Sequence, residues 1–464
     1  MGVKRAAPVD QLLGLPQRVL RAGYGIAGNA FGPTRPTGQR APLGVPGAGV
    51  SGPPAGIPIA AVHSSIMARC ARNAYRAAAG RRDRRQDMSM DHRSRREHTD
   101  RIRLGGCVLP VVSPARLYVC GITPYDVTHL GHASTFVWAD TAAAILRLAG
   151  AETITCRNVT DVDDVLTRAA LQRGRRYDEF ALEQEYLFGR DMAALRVRRP
   201  EHEPRARHHV GRVIQLAAAL LARGYAYHRD GWVYFRGADV LAKTTLTAQR
   251  ATELATEFGD QPDDSLRDEP FDVPVWRPSG DEEPGWPSPW GRGRPGWHAE
   301  CAAIALGVLG AAVDILAGGA DLTFPHHAYQ AAMVEAAMGV GPFARAEFAV
   351  GTVSVGGAKM AKSAGNLVLV SDLLERHPAA AVRLLVLNRP WWQDWEFQPA
   401  ELDTQASLLD RLYSAAGMRR SSPAALDAVT TALIDDFDVP AALAIAAESG
   451  GDAARLTLRT LALG

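Results

Sequence analysis

The chain has 464 residues, of which 47% are apolar and 22% are charged, and its formal net charge is +2. This length allows two or three domains with substantial apolar cores. The apolar stretches are too interrupted for a membrane-spanning helix, and the N-terminus lacks the charged and apolar segments of a signal peptide. Five cysteines without paired local spacing favour a reducing compartment over a disulfide framework. We therefore expect a soluble cytoplasmic protein that does not interact with a membrane.

The small net charge hides an asymmetry along the chain. Residues 1–105 carry 18 Lys and Arg against 6 Asp and Glu, whereas the remaining residues carry 34 against 44. The acidic part of the chain after residue 105 is a poor surface for a polyanion such as RNA, because the affinity for nucleic acid depends largely on neutralising phosphates. The charge distribution therefore favours small-molecule substrates.

Residues 1–105 are also rich in Pro, Gly and Arg and contain few periodic apolar positions. This composition predicts a disordered segment, or an upstream extension of an over-long reading frame with later starts at Met67, Met88 or Met90. A basic arm that binds nucleic acid is an alternative, which the scarcity of interleaved aromatic residues disfavours. An Arg-rich organelle-targeting segment is a further alternative.

The next stretch predicts a strand, a turn and a helix. The apolar run 117–119 ends at Cys120-Gly121, and the sequence HLGH at 129–132 opens an Ala-rich helical run over 136–149. The N-terminus of a helix presents free backbone N–H groups to an anion. His129 and His132 can donate hydrogen bonds to a phosphate, and Gly131 leaves room for a flat ring against the backbone.

Apolar strands alternate with longer helical patterns in the rest of this region, which is typical of an α/β fold with a doubly wound parallel sheet. The predicted elements are a strand at 153–156, mostly helices over 162–224, a hairpin at 225–235, a loop-rich stretch over 260–294 and a helical tail from Leu373.

Lysine is rare in this chain, and its distribution is informative. There are four lysines and 48 arginines, and two of the four lysines, Lys359 and Lys362, lie three residues apart in the segment KMAKS. A compact ammonium on a flexible stem differs chemically from the planar guanidinium fork. The pair therefore predicts a site that needs point charges.

Five segments of the chain form a recognisable set. They are CGITPYDVTHLGH from Cys120, NVTDVDD from Asn158, GRPGWHAEC from Gly293, GGADLTFPHH from Gly318 and KMAKSAGNLV from Lys359. Together they resemble the cysteine-activating branch of the class I aminoacyl-tRNA synthetases. Within that branch, ITPYD and HLGHA are most similar to the mycothiol-pathway ligases that join cysteine to glucosaminyl-inositol. The resemblance is strong over about residues 103–394.

This resemblance implies a Rossmann-like class I synthetase fold. It implies a catalytic nucleotide-binding domain over 106–372 with an inserted subdomain at about 165–290, followed by a C-terminal helical domain over 373–464. It also implies that ATP, with Mg²⁺, activates cysteine as an adenylate. In the family, the residues that correspond to His129, His132, Lys359 and Lys362 are catalytic, with Lys362 the more important lysine, and those that correspond to Gly131, Gly319, Asp321 and Lys362 bind ATP and its ribose.

The resemblance further implies one zinc ion per chain, held by Cys120, Cys301 and His326, with an open fourth position for the substrate thiolate. Cys120, Thr123, Thr160 and Trp297 are expected to contact the bound cysteine. The alternative from the residues alone is that the two cysteines are small buried hydrophobic residues. The related tRNA synthetases carry a glutamate ligand where this chain has Gln330, and the glucosaminyl-inositol ligases also lack it.

We therefore expect an ATP-dependent ligase, a monomer, that joins cysteine to the amine of glucosaminyl-inositol and releases AMP and pyrophosphate without binding tRNA. A cysteinyl-tRNA synthetase is the first alternative; the tail from Arg376, with 8 Arg against 11 Asp and Glu, disfavours it. A non-catalytic relative is the second, against which the intact histidines and lysines argue. Departures from the family pattern at Ala317, Ala328 and Ala361 leave open a divergent paralogue that uses another amine.

Overall fold

The computed structural model describes residues 100–464, except Asp126, Glu282 and residues 361–364. The predictions for residues 1–99 therefore lie outside the described residues. Residues 101–104, which the sequence placed in the N-terminal segment, form a strand in which Ile102 and Leu104 are buried.

The strands are β1 (Arg101–Leu104), β2 (Cys107–Pro110), β3 (Ala115–Ile122), β4 (Thr153–Val159), β5 (Ala226–Arg229), β6 (Trp232–Phe235), β7 (Val273–Pro278), β8 (Gly293–Pro295), β9 (Val313–Gly319), β10 (Ala344–Val350), β11 (Val353–Val355), β12 (Ala358–Lys359) and β13 (Trp395–Glu396). The helices are α1 (Leu130–Leu148), α2 (Asp164–Gln172), α3 (Tyr177–Ala194), α4 (Val210–Ala222), α5 (Ala238–Ala242), α6 (Ala248–Glu257), α7 (Trp297–Leu309), α8 (Ala328–Met338), α9 (Val370–Arg376), α10 (Ala379–Leu387), α11 (Ala400–Ala416), α12 (Pro423–Ile434), α13 (Val439–Ser449) and α14 (Gly451–Thr460).

The central sheet has the strand order β10-β9-β3-β4, and all of its neighbours are parallel. The chain runs from β3 through α1 to β4 on one side, and from β9 through α8 to β10 on the other. The direction in which strands are added therefore reverses between β3 and β9, which is where an open α/β sheet forms a ligand cleft at the carboxyl ends of its strands. The predicted doubly wound parallel sheet is confirmed.

Alternate residues of β3 face two different apolar cores, as a strand with a period of two requires. Leu117 and Val119 pack in a core that contains α1 and the C-terminal helices. Tyr118 and Cys120 pack in a second core, which contains α7 and other parts of the segment between β4 and β9. This alternation directs the Cys120 side chain toward α7.

The segment between β4 and β9 contains an antiparallel sheet of order β5-β6-β7-β8. Its first two strands form the hairpin predicted at 225–235, with Ala226 opposite Phe235. The stretch 260–294, predicted to be rich in loops, contains the buried strand β7. Pro274 and Pro278 lie in this strand, and because proline is unusual inside sheets the local sequence did not indicate it. Its pairing with β6 and β8 outweighs the local preference.

Arg383 on α10 connects three separate parts of the chain. Its guanidinium is fully buried, forms an ion pair with Asp140 of α1 at 3.0 Å, and donates to the carbonyl oxygens of Leu195 at 2.9 Å and Leu461 at 3.0 Å. Burial lowers the pKa of Arg383, and the Asp140 carboxylate partly offsets that shift. The C-terminal helices are thus attached to the helix that borders the cleft. Among the described residues, no helix combines the length and the apolarity that crossing a membrane requires.

We predict that Arg383→Met lowers the free energy of unfolding by about 3–5 kcal/mol, because it leaves a buried carboxylate and two buried carbonyl groups without their donor. Urea unfolding followed by circular dichroism measures the change. Arg250→Met is the control. Arg250 forms an exposed ion pair with Glu253, so its replacement should lower the free energy of unfolding by at most about 1 kcal/mol. Adding Asp140→Leu to Arg383→Met should recover part of the loss. Equal losses in Arg383→Met and Arg250→Met would contradict the assignment.

Candidate active site and metal centre

A cleft of about 260 Å³ lies at the carboxyl ends of β3 and β9, beside the N-terminus of α1. All the described residues that the sequence singled out for a site line this one cleft. They are Cys120, Thr123, His129, Gly131, His132, Thr160, Trp297, Cys301, Gly319, Asp321, His326 and Lys359. Lys362 lies outside the described residues, so its expected role stays a prediction.

The carboxyl end of β3 needs a glycine at position 121. A Cβ atom on Gly121 would collide with the carbonyl oxygen of Asn158 at the end of β4. The Asn158 side chain accepts a hydrogen bond from the backbone N–H of Gly121 at 2.9 Å and donates to the Thr160 hydroxyl at 3.1 Å. Asn158 therefore joins the ends of two strands and orients Thr160 toward the cleft. The sequence marked the NVTDVDD segment but did not indicate this role for Asn158.

His129 and His132 lie at the N-terminus of α1. The Nδ1 atom of His129 accepts a hydrogen bond from the Gly131 N–H at 3.1 Å, and the two imidazole rings stack with their centroids 3.8 Å apart. Burial, and secondarily the neighbouring His129, lower the pKa of His132 to about 3. His132 is therefore neutral at physiological pH and available as a hydrogen-bond donor. No acidic residue lies in the first turn of α1, so the helix dipole favours an anion there.

Lys359 lies across the cleft and is paired with Asp321. Its ammonium is 2.7 Å from the Asp321 carboxylate, 3.5 Å from the Glu257 carboxylate and 5.7 Å from the centre of the Phe258 ring. Burial lowers the pKa of Lys359, but the Asp321 and Glu257 carboxylates outweigh this effect and raise it. Lys359 is therefore a stable cation. Glu257 and Phe258 were not predicted, because they belong to the segment between β4 and β9 and carry no motif.

The sulfur atoms of Cys120 and Cys301 and a ring nitrogen of His326 all lie within 4.8 Å of one another. The three side chains are buried, and they come from the end of β3, from α7 and from the segment Thr323–His327. Burial raises the pKa of the Cys120 thiol, and Cys301 raises it further; burial lowers the pKa of His326. Two adjacent buried thiols ionise readily only beside a cation, and two thiolates with one imidazole are a donor set that suits zinc. The residues therefore fit a zinc ion.

Neighbouring side chains orient these donors. The Nδ1 atoms of His298 and His326 are 3.0 Å apart, which leaves Nε2 of His326 available as a metal ligand. Trp297 stacks on the His326 ring with centroids 4.2 Å apart. The Cys120 thiol donates to Oε1 of Gln330 at 3.4 Å, so Gln330 occupies the expected fourth side of the donor set with a neutral amide. The sequence did not single out His298, although it lies in the segment GRPGWHAEC.

Two departures from the family pattern are accommodated by packing. Ala317 is buried in the core on β9 and does not line the cleft. The ring of His327, which precedes Ala328, packs against Gly318 and contacts the Glu347 carboxylate through Nδ1 at 2.9 Å. Neither Ala317 nor Ala328 lines the cleft. Ala361 lies outside the described residues.

We predict that the depressed pKa of His132 makes the protein acid-sensitive. Between pH 6.5 and about 3 the unfolded chain binds a proton that folded His132 does not, so the free energy of unfolding falls as the pH falls through this window. His132→Asn should reduce that slope by up to about 1.4 kcal/mol per pH unit. Denaturant unfolding between pH 4.5 and 7.5 measures it, with the exposed His208→Asn as control. An unchanged slope in His132→Asn would refute the assignment.

The comparisons with known proteins agree with this geometry. The family model for the catalytic domain of class I tRNA synthetases (C) matches residues 111–407. By structure, the chain is similar to Mycobacterium tuberculosis methionyl-tRNA synthetase in complex with methionyl-adenylate, with a TM-score of 0.56 and 18% identity over 75% of this chain and 88% of that one. At this identity the likeness supports the fold alone.

Curated relatives are more similar in sequence. The chain is 42% identical to the L-cysteine:1D-myo-inositol 2-amino-2-deoxy-alpha-D-glucopyranoside ligase of Parafrankia sp., over 72% of this chain and 79% of the relative. It is 41% identical to the ligase of the same name from Streptosporangium roseum, over 71% of this chain and 83% of that relative. With its class I synthetase catalytic domain and this degree of identity, the chain is a ligase that belongs to the L-cysteine:1D-myo-inositol 2-amino-2-deoxy-alpha-D-glucopyranoside ligase family.

Proposed function

We propose that this protein joins L-cysteine to the 2-amine of glucosaminyl-inositol in two steps. Cysteine and ATP first give cysteinyl-adenylate and pyrophosphate; the amine then attacks the activated carbonyl carbon, forms an amide and releases AMP. The observation that carries this proposal is one cleft in which a buried Cys-Cys-His donor set adjoins a helix N-terminus with two histidines. The first feature suits a thiol and the second a phosphate. The names of the relatives, which describe this ligation, support the assignment.

On the nucleotide side, the roles follow from charge and position. His132, which is partly buried and neutral because its pKa is depressed, and His129 donate hydrogen bonds to the phosphates at the N-terminus of α1. A Cβ on Gly131 would press against His129 and Met360, so glycine keeps that wall of the cleft open to a flat base. Asp321 binds the ribose hydroxyls once Lys359 leaves it. Lys359 and the predicted Lys362, with Mg²⁺, then balance the charge on the departing pyrophosphate.

On the cysteine side, Cys120, Cys301 and His326 would hold a zinc ion. Zinc bound there would supply a Lewis acid that binds the substrate thiolate. The hydroxyl of serine forms a much weaker bond to zinc. Trp297 forms one wall of the subsite and is held in place by its stacking on His326. Thr123 and Thr160 line the cleft, and Asn158 donates to the Thr160 hydroxyl; both threonines would orient the amino and carboxyl groups of the substrate.

For the second step, the charge of the chain favours a small amine over tRNA. The part after residue 105 has ten more acidic than basic residues, which concentrates a cationic amino sugar and repels a polyanion. Gln330 also differs from the glutamate expected of a cysteinyl-tRNA synthetase. That synthetase remains the alternative function, because the family model that matches the chain describes tRNA synthetases. We expect a monomer in the cytoplasm that has no tRNA partner.

We predict that the purified protein contains about one zinc ion per chain and that Cys301→Ser loses most of it. The serine hydroxyl is a poor ligand for zinc compared with a thiolate, while the side chain keeps nearly the same size. Elemental analysis after dialysis measures the zinc content. Cys156→Ser is the matched control, since Cys156 is also a buried free thiol but lies outside the donor set. Full zinc content in Cys301→Ser would rule out the proposed centre.

The acceptor is tested by comparing amines in a single assay. We expect AMP release that requires cysteine and is stimulated by glucosaminyl-inositol but not by cysteine tRNA, with an amide product seen by mass spectrometry. Serine in place of cysteine is the control for thiol recognition and should give little AMP. Charging of tRNA at a rate comparable to amide formation would favour the synthetase alternative. Stimulation by another amine alone would keep the activation step and reject glucosaminyl-inositol.

A further inference from the structure

The C-terminal end of helix α6 contacts both halves of the cleft. This helix packs on the segment Thr323–His327, which carries the proposed zinc ligand His326. Glu257, its last residue, pairs with Lys359 on the nucleotide side at 3.5 Å. Phe258 follows it and contacts residues on both sides. One short stretch between β4 and β9 therefore touches the two subsites of the proposed reaction.

On the nucleotide side, the Lys359 ammonium is shared between two carboxylates and a ring. It is 2.7 Å from Asp321 and 5.7 Å from the centre of the Phe258 ring. Asp321 is the residue proposed to bind the ribose, so a bound nucleotide competes with Lys359 for it. Once Asp321 accepts the ribose hydroxyls, Glu257 and the face of the Phe258 ring are the described groups that still hold the ammonium beside the cleft.

On the cysteine side, the Phe258 ring continues a stack of aromatic side chains. Phe258 stacks on Trp297 with centroids 5.4 Å apart and an interplanar angle of 30°. Trp297 stacks in turn on His326 at 4.2 Å and 24°. The orientation of the Phe258 ring therefore depends on Trp297, which forms the wall of the cysteine subsite. A substrate that immobilises Trp297 also immobilises the ring that lies under Lys359.

We propose that Phe258 is a positioning residue that couples occupancy of the cysteine subsite to the position of Lys359, and thereby to nucleotide binding. This inference rests on the proposed cysteine and nucleotide subsites. Cysteine bound against Trp297 holds the Phe258 ring flat under the ammonium, so that Lys359 remains directed at the cleft when the ribose displaces it from Asp321. An aromatic stack and a cation–π contact of ordinary strength correspond to an effect of about 3- to 10-fold on nucleotide affinity.

The test measures binding without turnover, using the full-length zinc-loaded protein. Isothermal titration gives the Kd of α,β-methylene-ATP with and without saturating L-cysteinamide, which keeps the thiol and the amine but has no carboxylate to activate. We expect cysteinamide to tighten nucleotide binding about 3- to 10-fold in the wild-type protein. Phe258→Leu should bring this ratio to within about twofold of one, and Phe258→Tyr, which keeps the ring, should restore it.

Two further variants separate coupling from simple charge. Glu257→Gln should weaken nucleotide binding to the same extent with and without cysteinamide, because it removes an attraction for Lys359 but keeps the ring. Glu253→Gln is the matched control one turn earlier; the Glu253 carboxylate accepts hydrogen bonds from Gln249 and Arg250 of the same helix, so both Kd values should stay unchanged. Unchanged zinc content and melting temperature in Phe258→Leu show that it is folded.

The outcomes distinguish this inference from the proposed function. A wild-type ratio near one, or a wild-type ratio in folded Phe258→Leu, overturns the coupling while both ligands still bind. Failure of the wild-type protein to bind either ligand overturns the proposed function and the coupling together.

Discussion

The parallel pairing of β3 with β9 is the constraint on which the cleft depends. Leu117 lies opposite Ile315 and Val119 opposite Ala317, so Cys120 and Gly318 reach the carboxyl edge of the sheet together. The chain leaves β3 toward α1 and leaves β9 toward the segment that carries His326. A shift of one residue in this register would turn Cys120 into the opposite core and away from Cys301. The positions of Cys120, of the segment that carries His326 and of the N-terminus of α1 thus depend on the same strand pairing, whereas Cys301 is contributed by α7.

The cleft keeps two kinds of chemistry apart over a short distance. The proposed cysteine side contains the buried side chains of Cys120, Cys301 and His326, with Trp297 stacked on His326. The proposed nucleotide side has a helix N-terminus without acidic residues and a cationic Lys359. In the proposed reaction, the free N–H groups of that helix and the ammonium would stabilise the negative charge that develops as the adenylyl group passes to cysteine and pyrophosphate leaves. Asp321 forms an ion pair with Lys359, so nucleotide binding as proposed would exchange this ion pair for contacts with the ribose and the phosphates.

Most of the proposed site was predictable from the sequence, because its residues lie in short motifs that resemble those of a known family. The strand at 117–119, the helix that follows HLGH and the hairpin at 225–235 also follow from local periodicity. Strand β7 was missed because its stability comes from pairing with β6 and β8, and its two prolines argue locally against a strand. The contributions of Asn158, His298 and Phe258 were missed for a related reason: each acts on a neighbour distant in sequence.

The sequence by itself determined the fold class through its periodicity, and its five motifs carried the family resemblance, which implied the residues that could bind a metal and a phosphate. Only the tertiary structure showed the packing that brings these groups together. Cys120, Cys301 and His326 are separated by up to 206 positions, and no spacing rule joins them; they converge because β3, α7 and Thr323–His327 pack into one core. The contact of Lys359 with Asp321, Glu257 and Phe258 likewise arises where the segment between β4 and β9 folds back over the sheet. Such long-range contacts depend on how buried faces pack against each other, which local sequence does not specify.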